Sequence, residues 1–75
     1  MEAARLQALE ELARRAFAEQ DDALTTKLVV EYRELANDDR VHCWSRLTQG
    51  GVQELDFAKF VHRNLGELLL EVFKK

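Results

Sequence analysis

Between Leu55 and Phe73 the apolar residues recur at the spacing of an α-helix, and they cover more of its circumference than one neighbour in a small protein can hide. Placed at 100° per residue, Phe57, Leu68, Val61, Val72, Leu65, Ala58 and Leu69 fall within an arc of about 120°, Leu55 and Phe73 extend it, and Phe60 and Leu70 project from the polar side. A helix with apolar groups on two sides is either enclosed by its own chain or meets a partner.

Size sharpens that choice. A 75-residue chain makes one domain, residues 1–75, and at this length folding buries only about 60% of the surface that the unfolded chain exposes. Chains this small lean on disulfides, a metal or a second subunit. Cys43 is the only cysteine, so no disulfide forms within the chain. His42, Cys43 and His62 supply at most three of the four ligands of a structural zinc site and lack its paired spacing. Oligomerisation remains, and it fits the surplus apolar surface of the last segment.

The residues are 47% hydrophobic and 33% charged, as in folded globular proteins rather than disordered ones. The net charge of −3 arises in the first 22 residues, where Glu2, Glu10, Glu11, Glu19, Asp21 and Asp22 outnumber Arg5, Arg14 and Arg15; beyond them the charges cancel. Binding to duplex requires clustered Lys and Arg that displace counterions, and the sequence has no such cluster. No apolar run approaches the ~18 residues that cross a bilayer. Met-Glu-Ala-Ala-Arg at the start lacks the order of a signal peptide, and with a single thiol this predicts a reducing, cytoplasmic setting.

The chain has no proline, and two of its three glycines are adjacent, Gly50 and Gly51. Helix is therefore predicted nearly throughout. From Glu2 to Glu19, Leu6, Leu9, Leu12, Ala13, Ala16 and Phe17 share one side, and Glu10 with Arg14 and Glu11 with Arg15 stand in the favourable i,i+4 order. Asp21 or Asp22 caps a second helix over Ala23 to Ala36, with Leu24, Leu28, Val29, Tyr32, Leu35 and Ala36 on one side and Val30 opposite. Asn37 is read as a left-handed terminator. Asp38 and Asp39 then precede Val41, Trp44 and Leu47, one side of a short helix ending at Gly50. The fourth segment opens between Val52 and Asp56 and runs to Lys75, continuous through Gly66 because the apolar arc keeps its phase there.

Three chemistries invite comparison with the plain reading. Gly51 to Phe60 resembles the second half of an EF-hand loop entering its exit helix, but the alignment sets Thr48, Gly50 and Val52 at the first three ligand positions and Lys59 at the last, where calcium needs a bidentate glutamate. Val41 to Leu47, the Gly-Gly turn and the following helix mimic a helix-turn-helix. There Lys59, Arg63 and Arg46 would touch phosphates, while Gln53, Glu54 and Asp56 open the reading helix with the wrong charge. His42 and Cys43 lie on different helix sides without a partner for nucleophilic activation; a small enzyme or metal carrier using His42, Cys43 or His62 is the weakest of these readings.

The expectation is thus an all-α fold, a small bundle of three longer amphipathic helices and one short one, completed by oligomerisation. Its core is expected to contain Leu6, Leu9, Phe17, Leu24, Leu28, Leu35, Trp44, Leu47, Val61, Leu65 and Leu68. The expected function is non-enzymatic protein binding through helix packing, as a small regulator, adaptor or chaperone-like subunit or a homodimer. Trp44, Phe60, Leu69, Leu70 and Phe73 are the interface candidates, and neither a cofactor nor a metal is called for. A small DNA-binding regulator is the alternative.

Overall fold

A computed structural model describes residues 2–74. Among them the chain forms four α-helices and no strand: α1 (Glu2–Glu19), α2 (Asp22–Arg33), α3 (Asn37–Leu47) and α4 (Leu55–Leu70), with short 3₁₀ turns at Gly51–Glu54 and Glu71–Phe73. The last helix stops sooner than predicted: α4 ends at Leu70, a 3₁₀ turn covers Glu71–Phe73 and Lys74 is extended, while Lys75 falls outside the described residues.

Helices α1 and α2 form a hairpin whose link is only two residues long. Gln20 adopts the left-handed conformation, φ 50°, its N–H donates to the Phe17 carbonyl (3.3 Å), and the Asp21 N–H donates to the Ala16 carbonyl (3.3 Å). That pair of bonds is a Schellman closure. The Asp21 carboxylate then accepts from the Leu24 N–H at 3.1 Å, capping α2 as expected. Ala13 and Ala16 are fully buried on α1, and their small side chains let the neighbouring helices pack closely.

Helix α4 is the central element and contacts the other three. Phe57, Phe60, Val61, Leu65 and Leu68 are buried on it, and their neighbours in the core include Leu6, Leu9, Leu28, Tyr32, Leu35, Cys43 and Leu47. Leu24, Phe17 and Trp44 pack on this core half-buried. Gly66 lies inside the continuous helix.

Several expectations are corrected. Phe60 does not point outward; it is only 9% exposed. The α1–α2 hairpin covers that flank, and Phe17 reaches it with ring centroids 5.5 Å apart. Asn37 is not a left-handed stop but the first residue of α3, because α2 already ends at Arg33. On α3, which ends at Leu47, the inner side is Arg40, Cys43 and Leu47; Val41 is exposed. Arg14 and Arg46 also reach across the fold: Arg14 pairs with Glu54 and Arg46 takes Glu10, while Arg15 pairs with Glu19. Neither predicted pair, Glu10–Arg14 or Glu11–Arg15, is formed.

The Gly-Gly turn has two separate reasons. Gly51 sits at φ +66°, a conformation that favours glycine. A Cβ on Gly50 would come within 2.4 Å of the Glu54 Oε1, so the missing side chain leaves room for Glu54 to fold back. Glu54 then accepts a two-pronged bond from Arg14, 2.8 and 3.1 Å, and the same guanidinium lies 4.5 Å over the Phe57 ring. The Arg14 bond holds the Glu54 carboxyl below its ordinary pKa.

Candidate functional site: the outer face of helix α4

Helix α3 runs back along α4, which the contacts at its two ends fix. Arg40 near its start reaches the Leu68 carbonyl and Glu71, and Trp44 one turn later stacks edge-on against His62 with centroids 4.7 Å apart. Beyond Trp44 this side of α4 exposes His62, Glu67 and Leu70. Between Trp44, His62, Gly66, Glu67, Leu69 and Leu70 lies a shallow depression of about 440 Å³. Leu70 is 56% exposed and Phe73 64%; Trp44 and Leu69 are half-buried.

Three of the five interface candidates, Trp44, Leu69 and Leu70, line this hollow; Phe73 is exposed one turn beyond Leu69, and Phe60 lies on another side of the helix. Apolar side chains of this size, gathered around a hollow, are the composition of an interface centre more than of ordinary surface. Gly66 is part of the hollow's lining. A Cβ placed there would meet nothing within 4 Å, so no internal packing requires the glycine.

The C-terminal edge of this face is held by Arg40, a residue the sequence reading passed over. It is 9% exposed. One guanidinium nitrogen donates to the Leu68 carbonyl (3.0 Å) and to Glu71 (3.2 Å), and the other donates to the Arg33 carbonyl. Arg40 thus serves carbonyls in the last turns of α2 and α4, where unpaired C=O groups and the negative helix end favour a cation. The Tyr32 hydroxyl donates to the Arg40 carbonyl at 2.8 Å, which ties the same turn to the core. The signal was present in the sequence: Arg40, Cys43 and Leu47 share helical spacing, and a cation on an apolar stripe with a long aliphatic stem can snorkel to a polar site.

A larger cleft, about 620 Å³, borders this face along the edge of α4 that meets the α1–α2 turn. Its charged lining carries both signs, Asp22 and Asp56 against Lys59 and Arg63. Of the three cations in the helix-turn-helix reading, Lys59 and Arg63 thus share their hollow with two carboxylates, and Arg46 is tied to Glu10 at 2.7 Å. This arrangement does not concentrate positive potential on one side of α4.

The candidate reactive groups do not converge. Cys43 is buried, and burial first, then the nearby Glu10 carboxylate, pushes its thiol up to about 11; such a thiol is a poor nucleophile near neutral pH. His42 is exposed on another side of α3, and His62 rests on Trp44. Among the described residues no group of three or more His, Cys, Asp or Glu could hold a metal ion, and no helix is long and apolar enough to cross a membrane. No protein-family model matches the chain, and no curated protein or solved structure matches it either.

Proposed function

We propose that this chain is a non-catalytic interaction module, a small regulator or adaptor subunit that binds protein by helix packing on the outer face of α4. One observation carries the reading: Leu70, on the hollow walled by Trp44 and Leu69, and Phe73, one turn beyond Leu69, remain more than half exposed. Their exposed portions forfeit about 1–2 kcal/mol each relative to full burial, which a docked helix or loop would recover.

The test is a comparison of the wild-type chain with Leu70→Asp and Phe73→Asp. Each variant should keep the wild-type circular dichroism and melting temperature, because neither side chain belongs to the core, and should lose saturable binding. Binding is read by sedimentation for self-association and by quantitative capture from the native host for other proteins. Wild-type protein that neither self-associates nor takes up any protein in an Asp-sensitive manner overturns the reading.

A further inference from the structure

We propose that the occupant of this face is a second copy of the same chain, laid antiparallel across Gly66; the proposal rests on the reading of the face as a docking surface. Its basis is self-complementarity. Along the outside of α4, Leu55, Lys59, His62, Gly66, Leu69 and Phe73 follow one another at intervals of four and three residues, the spacing of a coiled-coil seam. The buried side already has its own seam, so this is a second one on the same helix, with Gly66 inside it.

Gly66 lets the two backbones approach closely, since its Cβ position is empty of neighbours. In an antiparallel pair centred there, Leu70 lies level with the partner's His62, over the seam of the partner's helix. Phe73 lies opposite the partner's Lys59, along its aliphatic stem. The two contacting strips are the same patch on each copy, as an isologous two-fold contact requires.

Charge selects the direction. Arg63 and Glu67 are both exposed on one flank of this seam, and among the described residues neither has an ion-pair partner. A two-fold antiparallel pair brings the same flanks together, so Arg63 meets the partner's Glu67 on each side. A parallel pair would set this flank against the apolar flank marked by Ala58 and Leu69, which offers neither charge an opposite on the partner. The strip from Leu55 to Phe73 is only ~28 Å long, which places the contact in the small, reversible class below about 1,200 Å².

Sedimentation velocity of the purified chain from about 10 µM to about 1 mM should show the mass rising from 8.7 kDa towards twice that value. Arg63→Glu and Glu67→Arg should each weaken self-association roughly tenfold by opposing like charges twice. An equimolar mixture of the two should recover wild-type affinity. In the mixed pair the glutamate introduced in one chain faces the arginine introduced in the other, and the native Arg63 and Glu67 that remain face each other. Gly66→Leu should abolish association while leaving the helix folded. A folded wild-type chain that stays monomeric throughout, or a mixture that shows no recovery, overturns the proposal. If the chain is monomeric yet captures another protein through Leu70, only the second-copy assignment falls; if it captures nothing, the docking reading falls with it.

Discussion

On the flank of α4 that meets α1 and α2, Phe57 and Phe60 pack against Phe17 with ring centroids 5.4 and 5.5 Å away, whereas beyond α3 on the outer side Leu70 and Phe73 are 56% and 64% exposed. All four residues are large and apolar, and all sit on one helix or its immediate continuation. What separates them is the reach of the neighbours. Helix α1 extends far enough for Phe17 to cover its flank, and α2 adds a second wall. Helix α3 is 11 residues long, and Trp44 is its furthest large side chain over the outer side. Apolarity creates the demand for burial, and the length and direction of the adjacent helices decide which side has it met.

The widest break between the two sides is expected from Phe60→Ala and Leu70→Ala. Removing the Phe60 ring leaves a cavity facing Phe17 and Phe57 and should cost about 3–4 kcal/mol in urea unfolding. Truncating Leu70 should stay within ~0.5 kcal/mol, as for surface positions away from packed features. Equal losses at the two positions would erase the distinction drawn between these sides.

Next in size is Arg40→Met, which keeps the aliphatic stem and removes the guanidinium. The Leu68 and Arg33 carbonyls lose their donors, and Glu71 loses its partner; a loss of about 2 kcal/mol is expected, in the range for hydrogen bonds made by a buried charged group. The loss should be local first. Amide exchange at Glu71–Phe73 should quicken more than in the α1–α2 hairpin, and uniform quickening would show that Arg40 acts on the whole core instead.

These two contrasts also show what the sequence could reveal. Helical spacing identified all four helices and most of the core, including Leu9, Leu28, Leu47, Val61 and Leu65, because period and composition are local properties. Asp21 was legible for the same reason, since a cap acts three residues away. Phe60 was misplaced because its burial depends on Phe17, forty-three positions earlier, and a helical wheel has no term for that. Arg40 was missed because its partners are the ends of two other helices. The ion pairs failed likewise: Arg14 and Arg46 chose Glu54 and Glu10 across the fold over neighbours four residues off. Of the candidate face, Leu69, Leu70 and Phe73 stand out in the sequence as surplus apolar residues, but that Trp44, Leu69 and Leu70 line one hollow with Gly66 required three dimensions.

Alkaline titration sharpens the comparison from the inside. Burial raises the Cys43 thiol from its ordinary 9 to about 11, and burial also pushes the Tyr32 phenol up. Both groups are neutral when protonated, so the folded state holds their protons more tightly than the unfolded one. The Cys43 contribution is complete below pH 9 and is lost as the pH rises through 11. Urea midpoints should therefore fall across that window, and Cys43→Ala should flatten part of the fall, whereas Leu70→Ala should leave it unchanged. A midpoint constant from pH 8 to 11 in the wild-type chain would contradict the buried placement of the thiol.

The smallest effect is also the one that most cleanly separates the fold from its outer face. Glycine inside a helix costs about 1 kcal/mol relative to alanine, and the Cβ that alanine would add at Gly66 meets nothing within 4 Å. Gly66→Ala should therefore stabilise the chain by up to 1 kcal/mol and raise its melting temperature by about 4–8 °C. The same methyl group would stand between the two helices of the proposed pair, so dilute protein should melt higher while self-association weakens. Gly50→Ala provides the contrast, because its Cβ would collide with the folded-back Glu54 side chain and disturb the Arg14 bond without touching the face. If Gly66→Ala instead lowers the melting temperature of the monomer, the glycine has an internal structural role and the open hollow beside Trp44 is not a surface left free for a partner.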